Sequence, residues 1–180
     1  MTPVANVSQI RLERRLPSYW RVTFDIPPVN IFGPKNLAPF NEIISKIETD
    51  EQVKVVVFDS AIEGFFLTHW DFLAKPEDDP GMPPGSTGLQ PFPDMLARLS
   101  RAPVVSIVSI RGRATGCGSE LVLASDMRFA SRKKAILSQW EVGCRLSSRR
   151  RPDGTPASSY RPRTGFRSVA RRGRYSRRSR

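Results

Sequence analysis

The chain has 180 residues, 39% of them hydrophobic, with a formal net charge of +12, two cysteines and a single histidine. That hydrophobic content is ordinary for one globular domain and excludes a fibrous or wholly disordered chain. Cys117 and Cys144 are too few for a disulfide framework, no charged-then-apolar leader opens the sequence, and no apolar run is long enough to span a bilayer; a protein of a reducing, cytoplasmic setting is expected, without membrane contact.

In chain order, residues 7–12 and 20–24 predict two short strands joined by a turn at Pro17 and Ser18, hence a hairpin. Leu37, Phe40, Ile43, Ile44 and Ile47 recur at helical spacing, with Asn36 as the expected cap and Pro39 in the expected first turn. Residues 53–58 form a β-branched run broken only by Lys54, as in a parallel strand buried on both faces. Residues 75–88 are rich in Pro, Asp and Gly and predict a mobile surface loop, after which Phe92, Met95, Leu96 and Leu99 mark a short helix. Residues 104–110 predict the next buried strand. Glycines at 112, 116 and 118 follow it directly, residues 120–124 continue in helix formers, and residues 127–129 and 135–137 read as two further short strands.

The strand, glycine turn and helix in that order suggest chemistry. The first amides of a helix lack intrahelical partners and sit at the positive end of its dipole, so an oxyanion fits there. Gly116 and Gly118 would let a carbonyl approach the backbone, with the amide of Cys117 between them. The spacing matches neither G-x-G-x-x-G nor G-x-x-x-x-G-K-[ST], so nucleotide binding of those kinds is disfavoured. Glu120, in the first turn after the glycines, and Glu141, after Gln139 and Trp140, are the two carboxylates available for acid and base work. His69 reads as an exposed loop residue, and no metal-ligating cluster is visible in the sequence.

These residues resemble the crotonase superfamily, the enoyl-CoA hydratase/isomerase family, over nearly all of residues 5–143. The second oxyanion loop of that family resembles residues 110–120 followed by LVLASD at 121–126, and SQWEVG at 138–143 is similar to its second catalytic segment. GFFLTHWDF at 64–72 sits where its first oxyanion loop falls. The resemblance implies an α/β fold, a crotonase-like ββα spiral core incomplete at the C-terminus. It implies the backbone amides of Trp70 and Cys117 as the oxyanion hole for an acyl-CoA thioester, and Glu120 and Glu141 as the catalytic pair that adds water to a 2-enoyl-CoA. Thr68, His69, Asp71, Phe72, Gly116 and Gly118 are implied as substrate-binding. No separate cofactor is implied, since coenzyme A belongs to the substrate, and the family trend is a homotrimer or hexamer. Trp70 replaces a small residue of the family pattern, Cys117 a glycine and Trp140 a proline, so a narrowed acyl pocket is expected.

The resemblance stops at Cys144. Residues 1–143 carry 16 Lys plus Arg against 16 Asp plus Glu, whereas residues 144–180 carry 13 Arg against Asp153 alone, and 13 − 1 accounts for the whole +12. Two domains follow: a crotonase-like core over 1–143 and an Arg/Ser-rich tail over 144–180, expected to be disordered. By itself the tail resembles a segment that binds RNA phosphates non-specifically. Were residues 149–156 encoded CGG CGG CGG CCC GAT GGC ACG CCT, a one-base shift would read Gly-Gly-Gly-Pro-Met-Ala-Arg-Leu, similar to the family's continuation. The tail is therefore expected to be out of frame, which would leave a truncated chain with exposed apolar surface.

Overall fold

Hydrophobic alternation along residues 10–24 builds the first unit of the fold. In a computed structural model that describes residues 8–139, β1 (Ile10–Leu16) and β2 (Tyr19–Phe24) pair antiparallel around the Pro17 and Ser18 turn, with Leu16 opposite Tyr19. The hairpin is the expected one, but its first strand runs later than residues 7–12, because Ile10 must stand opposite Phe24 for both to enter the core. β3 (Val55–Ser60), β4 (Val105–Ile110) and β6 (Met127–Ala130) then add in parallel, giving one five-stranded sheet in the order β1, β2, β3, β4, β6. A parallel-dominated sheet with intervening helices is the α/β architecture anticipated above.

Helix α1 (Pro34–Thr49) connects β2 to β3 and begins earlier than its apolar pattern suggested. Gly33, not Asn36, is the cap residue: Asn36 is the third helical residue, and its Oδ1 accepts the Gly33 N–H at 2.8 Å. Pro34 takes the first helical position, where its missing N–H costs nothing, and Pro39 lies beyond the first turn. The predicted stripe is the buried one, with Leu37, Phe40, Ile43, Ile44 and Ile47 all at most 5% exposed. It packs into an aromatic cluster in which Phe32 stands 4.9 Å from Phe92 and 5.8 Å from Phe40, and Phe24 meets Phe66 edge-on at 5.8 Å. Each such ring contributes roughly 1.5–3 kcal/mol by burial.

The strand expected to be buried on both faces, and the buried strand expected at residues 104–110, are each packed deeply on one face only. Val56 and Phe58 are buried while Val55 and Val57 are partly exposed, and in β4 Val105 is 42% exposed. Asp59 next to Phe58 is buried and held by Arg21 and Thr23, with Arg21 Nε at 2.9 Å and Thr23 Oγ1 at 2.8 Å, which fastens β3 to β2. The Asp59 hydrogen bond raises the Arg21 guanidinium above its ordinary value.

Helix α2 (Pro91–Leu99) docks on α1 through Arg98, which reaches Glu48, Asn41 and Ser45. Its preceding loop, residues 75–88, contains a single 3-10 turn at Pro76–Asp78. That loop is tied down at its end, where Thr87 donates both its N–H (2.9 Å) and its hydroxyl (2.7 Å) to the buried Asp94. The glycine stretch after β4 is not only a turn. Residues Arg113–Thr115 form β5, which pairs in parallel with β7 (Ile136–Ser138) in a second, two-stranded sheet, and α3 (Cys117–Ala124) follows. Leu123, Met127, Phe129, Ile136 and Leu137 are exposed apolar side chains around these last elements. Glu141 and the arginine-rich segment 144–180 lie outside the described residues.

Candidate functional site

Two chain segments, residues 64–71 after β3 and residues 112–120 after β4, meet through glycine. A Cβ on Gly112 would overlap the backbone of Gly64 and Phe65, one on Gly118 would overlap the carbonyl of Leu67, and one on Gly116 would stand 3.0 Å from the Cα of His69. Gly116 also takes φ +50°, a conformation that L side chains rarely adopt. All three glycines are therefore required for backbone-to-backbone approach. The sequence reading had Gly116 and Gly118 make room for a substrate carbonyl, but Gly118 is filled by Leu67, and its N–H donates to the Thr68 carbonyl at 3.2 Å.

The first segment is held from the other side by residues 26–33. Asn30, buried and at φ +53°, accepts the Ile26 N–H at 2.7 Å and donates to the Phe66 carbonyl and the Ser60 hydroxyl, each at 2.7 Å. Thr68 is buried, and both its N–H and its hydroxyl donate to the Asn30 carbonyl, at 2.8 and 2.9 Å. Phe32 then forms a parallel bridge with Trp70, in which the Phe32 N–H donates to the His69 carbonyl at 3.2 Å and the Asp71 N–H donates to the Phe32 carbonyl at 2.8 Å. In that pattern the N–H of Trp70 lies on the side away from Phe32. The peptide that carries it has its carbonyl bonded to Phe32, an arrangement that polarises the amide.

A cavity of about 430 Å³ lies where the segments meet. His69, Trp70, Phe72, Gly116, Cys117 and Glu120 all line it, so six of the ten predicted site residues converge on one volume. Leu37, Met82 and Phe92 supply apolar walls from α1, the loop and α2. Thr68 and Gly118 support the junction from behind. Asp71 lies against Gly33 and bonds the Leu73 N–H at 3.0 Å, on a different cavity. Glu141 is not among the described residues.

Cys117 is the first residue of α3 and Glu120 lies in its first turn, where the helix dipole favours a carboxylate. Gln139 Nε2 faces Glu120 Oε1 at 3.4 Å, and the Ser138 carbonyl receives the Gly116 N–H at 3.3 Å and the Ser119 hydroxyl at 2.9 Å, so β7 sets the start of α3. At the far end of α3, Asp126 accepts the Ser106 hydroxyl and N–H at 2.6 and 2.8 Å. These bonds, the hydroxyl first, hold its carboxyl below the usual range and fasten the helix to β4. Among the described residues no group of three His, Cys, Asp or Glu is placed to hold a metal, and no helix is long and apolar enough to cross a membrane. Sequence reasoning missed Asn30 and Gln139 as supports. An asparagine, a non-glycine residue able to take positive φ, two positions after the Pro27 and Pro28 pair was the available signal for Asn30.

A parallel-dominated sheet whose two post-strand loops join through glycine, beside a first-turn glutamate, is the arrangement of the crotonase superfamily. Residues 18–144 match the family model described as enoyl-CoA hydratase/isomerase, and the chain belongs to that family. Among curated proteins it is similar to (E)-benzylidenesuccinyl-CoA hydratase of Thauera aromatica, 32% identical over 61% of this chain and 42% of that one. It is also similar to carnitinyl-CoA dehydratase of Escherichia coli K12, 32% identical over 61% of this chain and 41% of that one. Of solved structures, a putative enoyl-CoA hydratase from Streptomyces avermitilis matches with a TM-score of 0.64 and 30% identity over 75% of this chain and 50% of that one. The chain thus spans about two fifths of the length of these curated relatives and about half of that solved chain.

Proposed function

We propose that the chain carries the thioester end of an enoyl-CoA hydratase site and that its chemistry is addition of water to a 2-enoyl-CoA. One observation carries the reading: glycine-mediated backbone contact brings Trp70 and Cys117 to the same cavity as Glu120. In this reading the thioester carbonyl lies between the amides of Trp70 and Cys117. Both donors are fixed before substrate arrives, so they stabilise the enolate oxygen without reorganisation. Glu120 and Glu141 share the proton transfers: one carboxylate orients and deprotonates water for attack at the β-carbon, and the other delivers a proton at the α-carbon. Two carboxylates favour hydration over double-bond migration, which needs only one. The hydratase and dehydratase names of the relatives support the same class.

The test is hydration of crotonyl-CoA, followed by loss of the conjugated thioester absorbance, with the intact chain and with Glu120→Gln and Glu141→Gln. Each variant is expected to lose roughly 10²–10⁴-fold in kcat, the usual worth of a positioned proton-transfer group. Equal turnover in wild type and Glu120→Gln sinks the assignment.

A further inference from the structure

We infer that His69 is a specificity-determining residue of this site, a hydrogen-bond acceptor for a hydroxyl carried on the acyl chain of the thioester; the inference rests on the thioester reading above. Three contacts fix the imidazole. Its Nδ1 lies 2.7 Å from the carbonyl oxygen of Trp70. A carbonyl can only accept, so Nδ1 carries the proton, and the tautomer this selects has its lone pair on Nε2. The ring stacks on Phe72 at 5.8 Å and 17°, and its Cα and Cβ back directly onto Gly116. The backbone is held as well, since the His69 carbonyl receives the Phe32 N–H.

His69 lines the cavity of about 430 Å³ and also a neighbouring one of about 310 Å³, which it shares with Phe72, Thr115 and Gly116. Its ring therefore borders the cavity that also holds Trp70 and Cys117, and in the thioester reading the acyl chain runs past it. The walls there suit carbon: Leu37, Met82 and Phe92 are apolar. Of the other polar side chains on the larger cavity, Glu120 is assigned to the chemistry, Asp79 accepts the Gly81 N–H at 2.9 Å, and Gln90 carries an amide able both to donate and to accept. The lone pair on Nε2 is an acceptor, and the group that matches it is a donor on the chain beyond the reacting carbons. His69 is exposed, so an unsubstituted chain leaves its ring nitrogen to water, and a chain hydroxyl takes the place of that water.

Calorimetric titration of the full chain with butanoyl-CoA and with 4-hydroxybutanoyl-CoA tests this. The hydroxylated thioester is expected to bind about tenfold tighter, the worth of one hydrogen bond. His69→Asn puts an amide where Nδ1 stands, keeps a donor for the Trp70 carbonyl and removes Nε2; there the ratio is expected to fall to about one. His69→Gln puts its amide head near the position of Nε2, and there most of the preference is expected to return. Equal affinities in wild type, or an unchanged ratio in His69→Asn, overturn the inference. Hydration of crotonyl-CoA is measured separately. A chain that shows the binding ratio but no hydration loses the hydratase reading and keeps the His69 one, and a chain that binds neither thioester loses both.

Discussion

Gly118 and Leu67 touch through their backbones: a Cβ built on Gly118 would lie 2.6 Å from the carbonyl carbon of Leu67 and would overlap its oxygen. The obstacle is main chain, so no rotamer change can relieve it, and Gly118→Ala must push the two loops apart. We expect a loss of about 1–3 kcal/mol or more in stability; in the proposed thioester reading, where the amides of Trp70 and Cys117 hold the carbonyl, turnover is expected to fall further than stability does. Gly64→Ala is the control. Its Cβ would enter open space, and only the φ of +77° resists it, at about 1–2 kcal/mol. Urea unfolding of both variants decides, and equal midpoints would remove the packing argument.

Asn30 links three stretches of chain that are distant in sequence. Asn30→Gly keeps the positive φ without strain and deletes only the side-chain bonds to Ile26, Ser60 and Phe66, so its effect isolates them. The partners left behind are buried or partly buried, and an expected loss of about 2–4 kcal/mol follows. Asn30→Asp should cost more, because a carboxylate oxygen would then face the Phe66 carbonyl. A chemical-denaturation difference under about 0.5 kcal/mol for Asn30→Gly would show that residues 26–33 are held by other contacts.

Helix α1 and the hairpin were legible because their signals are local: five apolar residues at helical spacing, and two residues between two alternating strands. Bounds were less so. Asn36, a polar residue before Leu37, reads as the cap of α1, although Gly33 followed by Pro34 is the stronger start signal. Strand β5 escaped notice because three residues between glycines carry no period. At the site, sequence gave residue types and the structure gave the reason for them: glycine at 112, 116 and 118 is demanded by residues more than forty positions away, which no local pattern reports. Asp71 illustrates the converse. It lies within the matched loop, yet its side chain turns to the start of α1 and away from the cavity.

Asp94 gives a pH prediction with a defined sign. Burial penalises its charge, but the Thr87 N–H and hydroxyl together with Arg98 outweigh that penalty and hold its carboxyl below the ordinary value. A depressed folded value means that its contribution is present above the unfolded value of about 3.9 and is lost as pH falls through the folded one. Asp94→Asn should therefore cost about 2–4 kcal/mol at neutral pH, and the gap to wild type should close below about pH 4. Urea midpoints from pH 2.5 to 7 test it, and a gap constant across that range would mean that Asp94 acts through shape alone.

The edge of the main sheet makes the last prediction. Among the described residues β6 pairs only with β4, and its Met127 and Phe129, on one face, are 45% and 56% exposed. An apolar edge strand with an unpaired side is a template for another chain. Phe129→Lys introduces a charge on that face while burying nothing new, so the fold should persist and association should fall. Sedimentation velocity over a tenfold range of concentration is the measurement. Wild type is expected to show mass increasing with concentration and Phe129→Lys to stay at the mass of one chain, whereas identical profiles would show that this edge is not the adhesive surface.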